Sequence, residues 1–457
     1  MKKYDAIVIG AGQAGPPLAE KLTQNGLHTA IIERNLFGGT CVNVGCIPTK
    51  TLVGSARVAQ LARRSEEFGI TTGEVKVDMK RVKARMDQVR GDSNRGVTAW
   101  LKGMDNLDII QGHASFVGKR QIEVNGELLQ ADKVFINVGS RARVPDIPGL
   151  ENISYFTNSN MLEVDFVPDH LVIIGGSYIG LEFAQIYRRF GSEVTVVEMS
   201  DRLIPRDDED VTTAVQQILE NEGIRFELAA RCVSFDKHSQ GVEVTVSCED
   251  KPRSVVGSHL LLAVGRVPNT DDLGLETAGI ELDARGLIPV DDQLRTTAPG
   301  VWAIGEVNGR GAFTHTTYND FEIVAANLFS EDQRRVSDRI DCYGLFIDPP
   351  LGRVGMTEMA ARAAGHKLLV GKRPMSRVGR AKEFGETQGF IKVVVDADTD
   401  KILGATILGL NGDEAIHCII DVMNADLAYT AIQRAVHIHP TVSELIPTVL
   451  GDLKLVG

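Results

Sequence analysis

The chain has little basic charge to spare: 49 Lys and Arg stand against 61 Asp and Glu, a formal net charge of −12 over 457 residues. Nucleic acid and anionic membrane surfaces both need clustered Lys and Arg, so neither is expected as a partner. Long hydrophobic runs are also missing. Apolar stretches such as 171–174 and 260–264 fall far short of the roughly 20 residues that cross a bilayer, and no membrane span is expected. The N-terminus offers no room for a secretory leader, because Met1-Lys2-Lys3-Tyr4-Asp5 leads directly into the apolar run 6–9 and a glycine loop. The expected location is the cytoplasm. Cysteine occurs six times, too few for a disulfide scaffold of this length. Cys232, Cys248, Cys342 and Cys418 stand alone in apolar or mixed segments, where a reducing compartment predicts inert thiols. Only Cys41 and Cys46 lie close together.

What is present is a composition of 43% hydrophobic and 24% charged residues. It suits folded, soluble domains, about three of them at this length. One motif occurs twice. An apolar run leads into Gly10-Ala-Gly12-Gln-Ala-Gly15, then a helix-like stretch over 18–25 and a second apolar run ending in Glu33. The second copy runs from 170–174 into Gly175-Gly-Ser177-Tyr-Ile-Gly180, a helix-like stretch over 181–190, and the strand 193–197 before Glu198. Third glycine and acid are 18 residues apart in both copies.

Strand, glycine loop, helix, strand and acid in that order are a dinucleotide-binding βαβ unit. The first glycine makes the tight turn, the second admits a pyrophosphate, and the third lets helix and strand pack; the acid accepts from a ribose hydroxyl. Two copies imply two dinucleotides, a tightly held flavin and an exchangeable nicotinamide that passes it a hydride. Each copy departs once from the pattern. Pro16-Pro17 follow the first loop, where a first helical turn tolerates them. Ser177 replaces the middle glycine of the second, and its Cβ narrows the approach to a pyrophosphate.

Cys41 and Cys46 sit in Gly38-Gly-Thr40-Cys41-Val-Asn-Val-Gly45-Cys46-Ile-Pro-Thr-Lys50. On a regular helix they would be separated by about 7.5 Å of rise and about 140° of rotation. A disulfide needs Cα atoms within roughly 7 Å and facing Cβ atoms. Bridging therefore requires a distorted turn, which Gly45 is suited to supply. Two unpaired thiols and a zinc half-site are the alternatives, and no second Cys/His pair of zinc-like spacing accompanies them.

The segment Gly-Gly-Thr40-Cys41-Val-Asn-Val-Gly-Cys46-Ile-Pro-Thr-Lys50 resembles the active-site signature of the class I flavoprotein disulfide reductases, among them dihydrolipoamide dehydrogenase, glutathione reductase and mercuric reductase, and the resemblance covers essentially the whole chain. It implies an α/β fold: two Rossmann-like domains, for FAD and NAD(P), plus a C-terminal α+β dimerisation domain. The expected limits are 1–150 for the first part of the FAD domain, 151–270 for the NAD(P) domain, 271–335 for the return to the FAD domain and 336–457 for the interface domain. By the same resemblance Cys41 is the interchange thiol, Cys46 the charge-transfer thiol, Lys50 the lysine near the flavin with Glu182 as its carboxylate, and Tyr178 the aromatic gate over the nicotinamide site. The FAD contacts implied are Gly10, Gly12, Gly15, Glu33, Thr40, Lys50, Ala114 in 112–116, Gly139 and Ser140 in 137–140, and Gly305-Glu306. Glu306 is one methylene longer than the family's usual Asp. The NAD(P) contacts implied are Gly175, Ser177, Tyr178, Gly180, Glu198 and Gly265 in Ala263-Val-Gly-Arg-Val-Pro-Asn269.

Thiol chemistry at neutral pH needs a base, and a histidine oriented by a carboxylate serves. His439-Pro-Thr-Val-Ser-Glu444 matches the family's H-P-T-x-x-E signature, with His437 as a chemical competitor. The resemblance implies that His439 and Glu444 complete the site of the other subunit, hence a homodimer. Glu198 favours the 2′-hydroxyl of NADH over a 2′-phosphate, while Arg202 and Arg206 keep NADPH possible. No metal ligands are expected. A small disulfide or thiol-reactive compound is the expected substrate class. Segments 206–210, 309–315 and 318–320 resemble the mercuric-reductase-like branch that includes reactive-chlorine-resistance reductases. The absence of a C-terminal Cys pair and of an N-terminal metal-binding domain counts against efficient mercury handling. A single-cysteine oxidase or peroxidase of the same fold, and a non-catalytic flavin sensor, are the rivals; the intact pair Cys41 and Cys46 speaks against the first, and retention of Cys41, Cys46, His439 and Glu444 together against the second.

Overall fold

The computed structural model describes residues 1–247 and 253–456. Cys248, expected to be an inert thiol, lies outside the described residues. The first sheet is built on Lys2–Ile9, with Thr29–Glu33 and then Leu107–Gln111 on one side and Glu127–Ile136 on the other, all parallel. Ala6 to Ile9 are apolar without alternation and buried, as a strand covered on both faces requires. The free edge of Glu127–Ile136 is used twice. Its first half pairs with the antiparallel hairpin Ala114–Gly118 and Gln121–Val124, and its last three residues pair with Val301–Ala303. The chain thus comes back to its first sheet after leaving it for some 160 residues, between Ile136 and Val301.

The second parallel sheet has the order Arg225–Glu227, Glu193–Val197, His170–Ile174, His259–Leu262. Beside it the antiparallel ribbon Ser234–His238, Gly241–Thr245 and Ser254–Gly257 packs through Phe235, Val242 and Val244. The last unit is a six-stranded antiparallel sheet ordered Cys342–Leu345, Leu351–Gly355, Ile402–Leu408, Phe390–Asp396, Leu368–Pro374, Lys454–Val456, with short helices against it. Two Rossmann-like units and a C-terminal α+β unit are the fold class that the sequence led us to expect. No helix among the described residues is long and apolar enough to cross a membrane.

Both loop helices begin three residues before the stretch read from sequence, at Gly15 (Gly15–Gln24) and Tyr178 (Tyr178–Phe190). The prolines at 16 and 17 fit the first turn, whose N–H groups have no partner inside the helix. Tyr178–Phe190 is buried on nearly every face, because the second sheet covers one side and Leu52, Ala56, Leu345 and Ile347 the other. One cysteine reading is corrected. Cys232 is disulfide-bonded and is not an inert thiol; burial and segment composition, on which the thiol reading rested, do not report bonding state.

Candidate functional site

The two glycine loops have the same geometry. A Cβ on Gly10 would lie 2.3 Å from the Asn137 carbonyl oxygen, and one on Gly175 2.4 Å from that of Ala263. The third glycines rest on the first: Gly15 would strike the Gly10 carbonyl oxygen at 2.3 Å, and Gly180 that of Gly175 at 2.0 Å. Each acid grips its own loop. Glu33 accepts from Ala11 N–H at 2.9 Å and Asn35 N–H at 2.7 Å, and Glu198 from Gly176 N–H at 2.6 Å and Ser200 N–H at 2.7 Å. These bonds tie the end of the second strand to the turn after the first.

Cys41 lies in the short helix Gly39–Asn43, and Cys46 opens the helix Cys46–Arg63. The break between them falls at Val44-Gly45, where any Cβ on Gly45 would press the Thr40 carbonyl oxygen at 2.9 Å. That break leaves both as free thiols, near enough for each to act on the other's ionisation. Cys46 Sγ also lies 3.1 Å from Thr314 Oγ1, at the N-terminus of the 16-residue helix Thr314–Phe329. The Cys46 thiol is pulled down to about 6 by the Cys41 hydrogen bond first, and then by the Thr314 hydroxyl and the Lys50 charge, against the opposing effect of burial. Cys41 is pushed up by the same hydrogen bond and by burial. The first proton to leave the pair is therefore that of Cys46.

Lys50, one turn along from Cys46, donates to Glu182 Oε2 at 2.7 Å across 132 residues of sequence. Glu182 is buried, and its other oxygen accepts from Phe346 N–H at 3.0 Å. Tyr178 stands at the start of its helix among rings, 5.3 Å from Tyr343 and 5.7 Å from Phe313 between centroids.

One cavity of about 1760 Å³ holds most of these groups, well above the roughly 300–1,000 Å³ of an ordinary small-molecule site. Gly10, Gly12, Glu33, Thr40, both cysteines, Lys50, Ala114, Gly139, Ser140, Tyr178, Glu182 and Glu306 line it. Gly39 packs on Gly12 so closely that a Cβ would lie 2.7 Å from the Gly12 Cα. This cavity, with a loop of amides, a gripped carboxylate and a dithiol on its walls and no side chain at the Gly12–Gly39 contact, fits an extended flavin dinucleotide. Glu306 does not project alone: Ser140 Oγ donates to it, and Arg266 Nε lies 3.1 Å from its Oε1 and 2.6 Å from Ser140 Oγ. Gly305 donates to the buried Asp320 at 2.7 Å.

The remaining predicted residues stand outside that lining. Gly15 and Gly305 lie behind it in the first unit; Gly175, Ser177, Gly180, Glu198 and Gly265 belong to the second unit's loops. His439 is 80% exposed, with Nδ1 2.9 Å from Oε2 of the much less exposed Glu444. His437 has only the Ala435 carbonyl, at 3.3 Å. Among the described residues no cluster of three or more His, Cys, Asp or Glu side chains could hold a metal ion. Thr314, Arg266 and Phe346 escaped the sequence reading. Thr314 and Arg266 lay inside motifs already singled out, whereas a lone Phe before Ile-Asp-Pro carries no signal.

Comparison with known proteins places this geometry. Residues 4–320 match the pyridine nucleotide-disulphide oxidoreductase family, and residues 343–450 match the dimerisation domain of that family. The chain is similar to the probable pyridine nucleotide-disulfide oxidoreductase RclA of Escherichia coli (strain K12), 36% identical over 99% of this chain and 100% of that one. It is similar to a dihydrolipoyl dehydrogenase of Thermus scotoductus, 36% identical over 97% and 96%. Among solved structures it is similar to the Cu(II) complex of the HOCl-induced flavoprotein disulfide reductase RclA from Escherichia coli, with a TM-score of 0.89, 35% identity and 99% of each chain covered.

Proposed function

The chain belongs to the pyridine nucleotide-disulphide oxidoreductases, and from that premise we propose which of its residues do the chemistry and on what. As a member it is an FAD-dependent, NAD(P)H-consuming disulfide oxidoreductase, and its dimerisation domain supports a homodimer. Bound FAD supplies the relay of two electrons from the nicotinamide to the cysteine pair.

In this reading the first loop, Glu33, Thr40, Ala114, Gly139, Ser140 and the Gly305-Glu306 segment hold the FAD. Lys50, fixed by Glu182, keeps a positive charge on the redox-ring side. Cys46 is the thiol kept as thiolate against the cofactor, stabilised by Thr314 and by the positive end of the helix that Thr314 opens. Cys41 is the nucleophile. Its thiol gives its proton to His439 as it attacks one sulfur of a substrate disulfide, forming a mixed disulfide, and the displaced thiolate takes that proton back from His439. Cys46 thiolate then attacks Cys41 sulfur, re-forming the Cys41–Cys46 disulfide and releasing the second substrate thiolate. His439 acts across the dimer: its imidazole is exposed, held by Glu444, and absent from the cavity of its own chain.

The observation that carries this reading is the pair of free thiols beside Lys50–Glu182 in one large cavity. Anaerobic addition of two electrons to the holoenzyme is expected to produce a long-wavelength charge-transfer band. Persistence of that band in Cys46→Ser would overturn the assignment.

The second loop and Glu198 take NADH. Arg202 is turned back to the Pro205 carbonyl at 2.9 Å, and Arg206 lines the cavity near Tyr178, so neither supports a 2′-phosphate beside Glu198. For the substrate we propose a small disulfide or thiol-reactive compound, and for the location the cytoplasm. NADH oxidation measured with lipoamide, glutathione disulfide, hypohalous acids, Cu(II) and Hg(II) separates the substrate candidates.

A further inference from the structure

The segment 344–349 enters the C-terminal antiparallel unit, yet it is held by the helix Tyr178–Phe190. Glu182, Gln185 and Arg189 lie on one face of that helix and all are buried. Gln185 accepts from Asp348 N–H at 2.7 Å and donates to the Asp348 carbonyl at 2.8 Å. Arg189 donates to Asp348 Oδ2 at 2.6 Å, and Arg57, from the cysteine helix, pairs with the other oxygen. With Asp348 so anchored, two parts of Phe346 reach the site. Its N–H holds Glu182 Oε1 at 3.0 Å, and its ring centroid lies 4.6 Å from Lys50 Nζ. The ring also packs on Gly344, where a Cβ would stand 3.1 Å from Phe346 Cζ.

We infer that Phe346 is a positioning residue for the Lys50–Glu182 pair, holding the carboxylate through its amide and the ammonium through its ring, so that the interface unit sets where the charge of Lys50 sits. The inference rests on the reading above that Lys50 faces the flavin. A cation over a ring face is attracted by the ring quadrupole, and the attraction strengthens as the pair loses water. Lys50 has one carboxylate on one side and this ring on another, which fixes a long, otherwise mobile side chain. Glu182 accepts from both the lysine and the Phe346 amide, so neither oxygen is free to draw the ammonium elsewhere.

The test uses the FAD-loaded enzyme and four variants: Phe346→Leu, which keeps apolar bulk without a ring face; Lys50→Met; the double variant; and Gly344→Ala, which displaces the ring without removing it. Phe346→Leu is expected to slow flavin reduction by NADH about tenfold, to make the flavin midpoint potential more negative, and to leave FAD bound. Lys50→Met is expected to do more of the same. The double variant should match Lys50→Met within about twofold, because the ring acts only through the lysine. Gly344→Ala should move rate and potential in the same direction by about two- to threefold, and it serves as the readout if Phe346→Leu does not fold. A normal rate and potential in Phe346→Leu with an impaired Lys50→Met overturns the inference alone, as do effects that multiply in the double variant. A normal Lys50→Met overturns the reading of Lys50 itself.

Discussion

The two glycine loops share turn geometry, helix contact and acid, with near-identical close approaches at Gly10 and Gly175 and at Gly15 and Gly180. They differ in what lies over them. Gly12 is roofed by Gly39, the start of the cysteine segment, and opens into the large cavity; Ser177 carries a side chain at the matching position and, like Gly175 and Gly180, is not part of that cavity's lining, which its loop reaches through Tyr178 and Ile179. The helices differ as well. Gly15–Gln24 has no buried polar side chain, whereas Tyr178–Phe190 carries Glu182, Gln185 and Arg189 inward to grip the C-terminal unit. A duplicated backbone device thus serves one loop that lines the large cavity and one that borders it. In the proposed assignment these hold a resident cofactor and an exchanging one.

Exchanging the fates of the loops is the strongest way to break this contrast. Gly15→Ala is expected to purify without flavin and to lose activity on the order of a thousandfold, since its Cβ meets rigid backbone that cannot yield. Gly180→Ala is expected to stay yellow and to raise the KM for NADH on the order of tenfold. Loss of flavin from the second variant instead would reverse the assignment, and absorbance at the flavin bands reads it directly.

Next in size is a titration confined to the first site. The Cys46 thiol sits at about 6, so the thiolate, and with it the charge-transfer band of the reduced enzyme, should be present at neutral pH and fade as pH falls through about 6. Cys41→Ala removes the largest cause of that lowering, the side-chain donor at position 41. The midpoint should then rise toward the ordinary thiol value of about 8.5, and the band at pH 7 should fall about tenfold. An unmoved midpoint would show that Thr314 and Lys50 suffice.

Glu198→Gln tests the second loop. It retains the two backbone contacts poorly and removes the charge, so kcat/KM for NADH should drop about fivefold while that for NADPH stays level or rises; an equal fall for both would mean that Glu198 only braces the loop. The smallest effect sharpens the contrast at its centre. Ser177→Gly removes the Cβ that narrows the second loop and should lower the KM for NADH about twofold, with no change in flavin content.

Much of the site was legible because its parts are local. Glycine spacing, the acid after each second strand, Cys41 with Cys46, and His439 with Glu444 all lie within a few turns of chain, and each pattern answers to a backbone rule or to one side chain reaching another nearby. Contacts between distant segments were not legible from spacing. Lys50 and Glu182 are 132 residues apart, and Cys46 and Thr314 are 268 apart; the first pair was named only through family resemblance, and the second was missed. The engagement of Glu306 by Ser140 and Arg266 joins three segments that no periodicity connects.

By itself, then, the sequence determined the turns: where backbone must approach backbone without a Cβ, where an acid must face loop amides, and where two thiols could meet across a broken helix. The tertiary structure decided the electrostatics. Whether a thiol is lowered, a lysine held or a carboxylate engaged depends on burial and on charges carried in by other segments, which act over a few ångströms of space regardless of their separation along the chain.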